Sequence, residues 1–291
     1  MRGLSPEFIN DLRRGVLSPL LEAVHEDRDL ILEIREDYLN VYFRGHSLLK
    51  LQRKGAAYPF SLHKKFRAEA LCSLSRLANQ GDTKQFVSAI PEIKARILGL
   101  GMSANEIECE QMLIRANNCE VHLNTDYFVI DRQLVTEDRK GRFDLVGICR
   151  PGKNWSYHAT VPLALLELKL GLNADIQTLH EQLGQYYRSV RGNMGMIVDE
   201  AETLLKQKLQ LGLFRQPANR LEALKTVKIS RAIEEVRFGI VLVDYHPESA
   251  LLRRAIEQLE KLPFRKQIDI FHAGFGLWKL RAKGLCAAPA Q

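Results

Sequence analysis

The segment from Val161 to Leu170, VPLALLELKL, limits the folds open to this chain more than any other stretch. Its first half is apolar at nearly every position, the pattern of a strand covered on both faces. Its second half places Glu167 and Lys169 two positions apart, with Leu168 between them. Residues i and i+2 of a strand project to the same face. The pair therefore either faces water on a half-exposed strand or enters a polar pocket at the end of an interior one. The apolar run before it favours the pocket.

The flanking segments build layers around that strand. SANEIECEQMLIRANN reads as a helix with Ser103 as N-cap candidate and Glu106 as capping-box partner. CEVHLNTDYFVIDRQLV follows as one or two strands, and GRFDLVGICR as another, turned at Arg150-Pro151-Gly152. After VPLALLELKL come the amphipathic helix NADIQTLHEQLGQYYRSV and a helical insertion around 198–235. Strand VRFGIVLVDY, helix HPESALLRRAIEQLEKL and strand KQIDIFHAGFGLWKL complete the order. Helices alternating with strands predict an α/β domain over 99–291, with a mixed sheet between helices. Residues 1–98 read as an N-terminal α+β wing. It opens with a helix broken near Ser18-Pro19, followed by a hairpin or three-stranded meander over LILEIREDYLNVYFRGHSLLKLQ. Helical periodicity returns over AEALCSLSRLANQGDTKQFVSAIPEIKARILGL, broken around Gln80-Gly81-Asp82.

Composition excludes several classes. With 46% hydrophobic and 26% charged residues the chain is an ordinary globular protein. It has no run of about 18 apolar residues and no signal-peptide core in MRGLSPEFINDLRR. Its five cysteines form no CxxC, which fits neither a disulfide framework nor a structural zinc site. These features point to a soluble, cytoplasmic protein. No Walker or Rossmann loop and no G-x-S-x-G is present, and the histidines do not fall at metal-ligand spacing. The formal net charge of +7, with basic clusters at RGHSLLKLQRK, HKKFR and LPFRK, fits a polyanionic partner without requiring one.

Asp144 is a lone acid inside the apolar strand RFDLVGI. Phe143 and Leu145 are expected on one face, and Arg142, Asp144 and Val146 on the other. The chain between Asp144 and Glu167 is long enough to turn a hairpin, which would bring Asp144, Glu167 and Lys169 together from neighbouring strands. Two close carboxylates repel unless a cation joins them. Carboxylate oxygens, waters and a backbone carbonyl, for which Leu168 is placed, are the hard donors that Mg²⁺ or Mn²⁺ prefers. Such an ion activates water and neutralises charge on a phosphate, and a neighbouring lysine orients the nucleophile or stabilises the oxyanion.

The arrangement of Asp144 with Glu167-x-Lys169 resembles the PD-(D/E)xK nuclease superfamily, whose fold is restriction-endonuclease-like. The resemblance covers about Ser103 to Trp278, interrupted near Glu200 to Glu235. The proline of the motif is absent: Arg142 and Phe143 precede the aspartate. The resemblance implies a metal-dependent phosphodiesterase acting on DNA or, less often, RNA. Asp144, Glu167 and the Leu168 carbonyl would hold Mg²⁺ or Mn²⁺. It also implies a contribution from a glutamate on the earlier helix, Glu110 or, one turn before it, Glu106. Gln182, on the helix after E-x-K and four residues before Tyr186, would assist. Tyr186 is either a core residue with a tethered hydroxyl or a platform for a base. Arg44, Lys50, Arg53, Lys54, Lys64 and Lys65 of the wing are candidates for phosphate contacts, and a homodimer would suit a nuclease that cuts both strands.

Each residue also has a plainer reading. Asp144 could pair with Arg142 or Arg150, and Glu167 and Lys169 could form a solvent-facing ladder. Glu110 could be solvated, and Gln182 could bridge helix to sheet. The rival expectation for the whole chain is a module that kept the fold, lost turnover, and binds nucleic acid or a protein partner.

Overall fold

The structure, a computed structural model, describes residues 2–100, 105–120, 125–136, 141–149, 160–171, 174–246 and 248–274. The expected Ser103 cap, the turn at 150–152 and Trp278 lie outside them.

The N-terminal region opens with α1 (Pro6–Arg13), started by Ser5, whose hydroxyl accepts the Phe8 N–H at 3.3 Å. The helix buries Phe8, Ile9 and Leu12. The break expected near Ser18-Pro19 is the entrance of α2 (Ser18–Glu26), with Pro19 in its first turn, where a missing N–H costs nothing. Five strands follow as a sequential antiparallel sheet: β1 (Leu30–Ile34), β2 (Tyr38–Phe43), β3 (His46–Gln52), β4 (Tyr58–Ser61) and β5 (Arg76–Leu77). Helix α3 (Gln80–Gly99) is capped by Asn79, which accepts the Asp82 N–H at 3.0 Å.

The helical periodicity expected over 68–78 is not a helix. The chain makes short turns at Lys64–Phe66 and Glu69–Leu71 and then enters β5. Leu71, Leu74 and Leu77 are three apart and all buried, which imitates a helical stripe. The Arg67 guanidinium donates to the carbonyls of Leu71 and Leu74, both at 2.8 Å, and so occupies acceptors that a helix would use internally.

The second sheet has the order β12-β11-β9-β7-β6. Its strands are β6 (Tyr127–Val135), β7 (Arg142–Cys149), β9 (Leu163–Leu170), β11 (Arg237–Val243) and β12 (Ile268–Ala273). β6, β7 and β9 are antiparallel, whereas β9, β11 and β12 are parallel, so the sheet is mixed. The small pair β8 (Thr160–Val161) and β10 (Lys228–Ile229) stands apart from it. Helix α4 (Asn105–Asn118) packs on the face carrying Leu145 and Leu166. Helix α5 (Leu179–Gln210) covers the other face and is followed by α6 (Ala218–Thr226) and α7 (Ala250–Leu259). The helix expected after E-x-K and the first part of the expected insertion form one continuous rod of 32 residues.

Buried apolar side chains from Leu4 to Ile268 form one contiguous cluster running through both sheets. Among the described residues, no helix is long and apolar enough to cross a membrane.

Candidate metal centre

The site lies where β7 and β9 part. Their last paired residues are Leu145 and Leu166, and one step further Asp144 and Glu167 stand opposite each other. The Asp144 carboxylate reaches into the gap, and its Oδ2 accepts the Leu168 N–H at 2.7 Å. Phe143 and Leu145 do not share a face as alternation would require. Leu145 packs beside Ile114 of α4, while Phe143 lies 4.5 Å from the Tyr186 ring of α5. Asp144 sits between these two layers. It can therefore stand opposite Glu167 and still meet α4.

The meeting with α4 adds two acids. Oxygens of Glu106, Glu110 and Asp144 all lie within 4.8 Å of one another, an arrangement capable of coordinating a divalent cation. Glu110 and Asp144 are buried, and Glu106 is exposed. Residues 106 and 110 are one helical turn apart, so both project toward the strand end. Glu167 stands beside this group and is only 5% exposed. Its Oε1 accepts from Lys169 Nζ and from Gln182 Nε2, both at 2.7 Å. Its Oε2 is buried and has no hydrogen-bond partner among the described residues.

Electrostatics match this geometry. Burial pushes the Glu167 carboxyl up to about 7, and nearby Asp144 adds to the shift against the opposing Lys169. Burial likewise pushes Glu110 up to about 7. Asp144 is also raised by burial, although the Leu168 N–H favours its ionised form. Acids crowded and buried in this way are strained when all are ionised, and a bound cation relieves that strain.

The structure thus brings Asp144, Glu167, Lys169, Gln182 and Glu110 to one strand end, with Glu106 an equal member of the acidic group. The Leu168 N–H is spent on Asp144. The N–H and C=O of one residue in an extended strand leave on the same edge, so its carbonyl also faces the β7 side. Tyr186 is buried: its ring packs on Phe143 and its hydroxyl accepts from Gln182 at 2.5 Å, which makes it a core residue rather than an open platform.

The basic residues of the wing do not form one patch. Arg44, at the β2–β3 tip, lies 3.7 Å from Glu108 of α4. Lys64 and Lys65 are exposed on the turn whose Phe66 packs against His46 of the same tip. Lys50 lies mid-strand over the Tyr38 ring at 4.2 Å. Arg53 pairs with Glu7 at the far end of β3, beside Lys54.

One residue that contacts the centre has no signal in the sequence. Arg132, fully buried, places Nη2 2.8 Å from Glu110 Oε2 and lies 4.6 Å from the Tyr42 ring of the wing. A register shift between Val129 and Asp131 moves Arg132 opposite Leu145, on the α4 side. Without that bulge it would point with Phe128 and Ile130 toward α5.

No family model matches the chain, and neither a curated protein nor a solved structure matches it. The fold and the site therefore define a class only in general terms: an α/β protein with a buried acidic cluster of the kind that binds metal in nuclease-like sites.

Proposed function

We propose that this protein is a Mg²⁺- or Mn²⁺-dependent nuclease that hydrolyses phosphodiester bonds, with DNA as the expected substrate. The observation that carries the reading is the convergence of buried acids with a lysine. Asp144 and the α4 glutamates lie within 4.8 Å of one another, and beside them Lys169 is held 2.7 Å from Glu167. Asp144 and the α4 glutamates Glu106 and Glu110, with Glu167 beside them, would hold the ion with the Leu168 carbonyl. When bound it would lower the pKa of water and neutralise charge on the scissile phosphate. Gln182 fixes Glu167, leaving the Lys169 ammonium to orient the attacking water or donate to the developing oxyanion. Arg44, 3.7 Å from Glu108 of α4, would be the wing residue to hold a phosphate backbone leading to the site.

The test is a cleavage assay on single-stranded, duplex and branched DNA and on RNA, with Mg²⁺, Mn²⁺ or EDTA. The reading requires cutting that EDTA stops and that Asp144→Ala abolishes. Metal-independent cutting, or Asp144→Ala cutting like the wild type, would contradict it.

A further inference from the structure

Where the wing meets the second sheet, α2, β1, the end of α4 and the end of α5 enclose a cavity of about 310 Å³. That is the lower end of the size range of small-ligand sites, roughly 300–1,000 Å³. Leu30, Leu32, Ile114 and Phe214 give it apolar walls. Lys208 and Glu33 belong to the same lining, both buried and paired at 2.6 Å. An ammonium carries three N–H donors. Lys208 spends one on Glu33 and one on the Ile130 carbonyl, and the third has no partner among the described residues. Arg28, Arg115 and Arg215, exposed or half-buried, stand toward the mouth with His25. Arg115 pairs with Asp29, and Arg215 donates to the His25 carbonyl. Arg28 is exposed and has no ion pair among the described residues. Glu33 and Glu120 are the acids of the lining, so positive charge is in excess there even with Asp29 counted.

We propose that this cavity binds a small molecule that joins a flat heteroaromatic ring to a phosphate, a nucleoside 5′-monophosphate being the concrete case. The ring enters between the apolar walls, and a ring nitrogen or carbonyl oxygen accepts the open Lys208 N–H. The phosphate stays at the mouth, where Arg28 is unpaired and the guanidinium fork suits phosphate oxygens. The buried end decides against an alkyl chain with an acidic head. Methylenes there would cover an ion pair and leave its donor unmet, a cost that a heterocycle avoids. None of the lining residues belongs to the acidic centre, so the site stands whether or not those acids hold a metal. Occupancy ties α2 and β1 of the wing to α4 and α5.

Calorimetric titration of the full chain with adenosine, guanosine, cytidine and uridine 5′-monophosphates tests this. The corresponding nucleosides, ribose 5-phosphate and dodecanoate are titrated beside them, all in EDTA, which removes any metal that could hold a phosphate at the acids. At least one nucleotide binds, about tenfold or more tighter than its nucleoside, ribose 5-phosphate or dodecanoate. The same nucleotide raises the melting temperature of the wild type. Arg28→Ala weakens its binding by about tenfold. Lys65→Ala, which removes an exposed cation outside the lining, leaves the affinity unchanged. No binding of any nucleotide at millimolar concentration would overturn the proposal, as would equal binding of ribose 5-phosphate or tighter binding of dodecanoate. So would Arg28→Ala with wild-type affinity, or Lys65→Ala weakening the nucleotide as much as Arg28→Ala does.

Discussion

Lys169 and Glu167 form an ion pair of 2.7 Å that is mostly shielded from water, and the chemistry proposed for the site divides between them. If Lys169 serves the reaction rather than the fold, Lys169→Ala lowers the cleavage rate by about 10²–10⁴-fold, while calorimetry still shows Mg²⁺ binding. Loss of the binding heat instead would make Lys169 structural. A second prediction follows from the raised acids. Glu110 and Glu167 titrate near 7 in the fold, above the ordinary glutamate value of 4.5. A carboxyl shifted upward stabilises the fold fully below about pH 4.5, and that contribution is lost as pH rises through 7. A bound cation favours the ionised form, so it offsets the loss. Mg²⁺ should therefore raise the melting temperature more at pH 8 than at pH 6, and an equal rise at both would contradict the assignment.

At the scale of elements, the register of β6, β7 and β9 places the centre. Gly147 lets β6 approach β7 closely, because a Cβ there would come within 2.4 Å of the Phe128 carbonyl oxygen. Gly147→Ala must push the strands apart, and urea denaturation should show a loss of about 1–3 kcal/mol. Unchanged stability would mean that β6 yields without cost. The same strands explain what the sequence disclosed. Asp144, Glu167 and Lys169 were legible because i and i+2 share a strand face and the intervening chain permits a hairpin. Glu110 was legible only as a helix acid at the right remove. Arg132 was not legible, since one bulge reverses its side and no periodicity marks a bulge in YFVIDRQLV. The false helix over 68–78 arose because Leu71, Leu74 and Leu77 satisfy a helical spacing that the Arg67 contacts override.

Across the whole molecule, the wing and the mixed sheet are joined by buried charges. Lys208 of α5 donates to Glu33 of β1 at 2.6 Å and to the Ile130 carbonyl at 2.7 Å. Arg35 holds Asp131 at 2.8 Å, and Arg2 pairs with Asp131 and Glu200. Burial alone would raise Asp131, yet Arg35 and Arg2 hold it well below the usual carboxylate range. Glu33 and Lys208 are 175 residues apart, and nothing local in the sequence announces their pairing. Lys208→Ala removes the nearer of the two cations facing buried Glu33, leaving Arg35 3.7 Å away, and should cost about 3–5 kcal/mol, whereas replacing both residues by leucine should recover most of it. Equal losses in the single and double variants would show that the pair contributes nothing specific.

The claim on which the account turns is that the acids at the β7–β9 opening hold a divalent ion, and an anomalous difference map from crystals soaked in Mn²⁺ addresses it most directly. The expected result is a manganese peak within coordination distance of Asp144 and of Glu106, Glu110 or Glu167. Manganese bound elsewhere, with this strand end empty at saturating concentration, would contradict it.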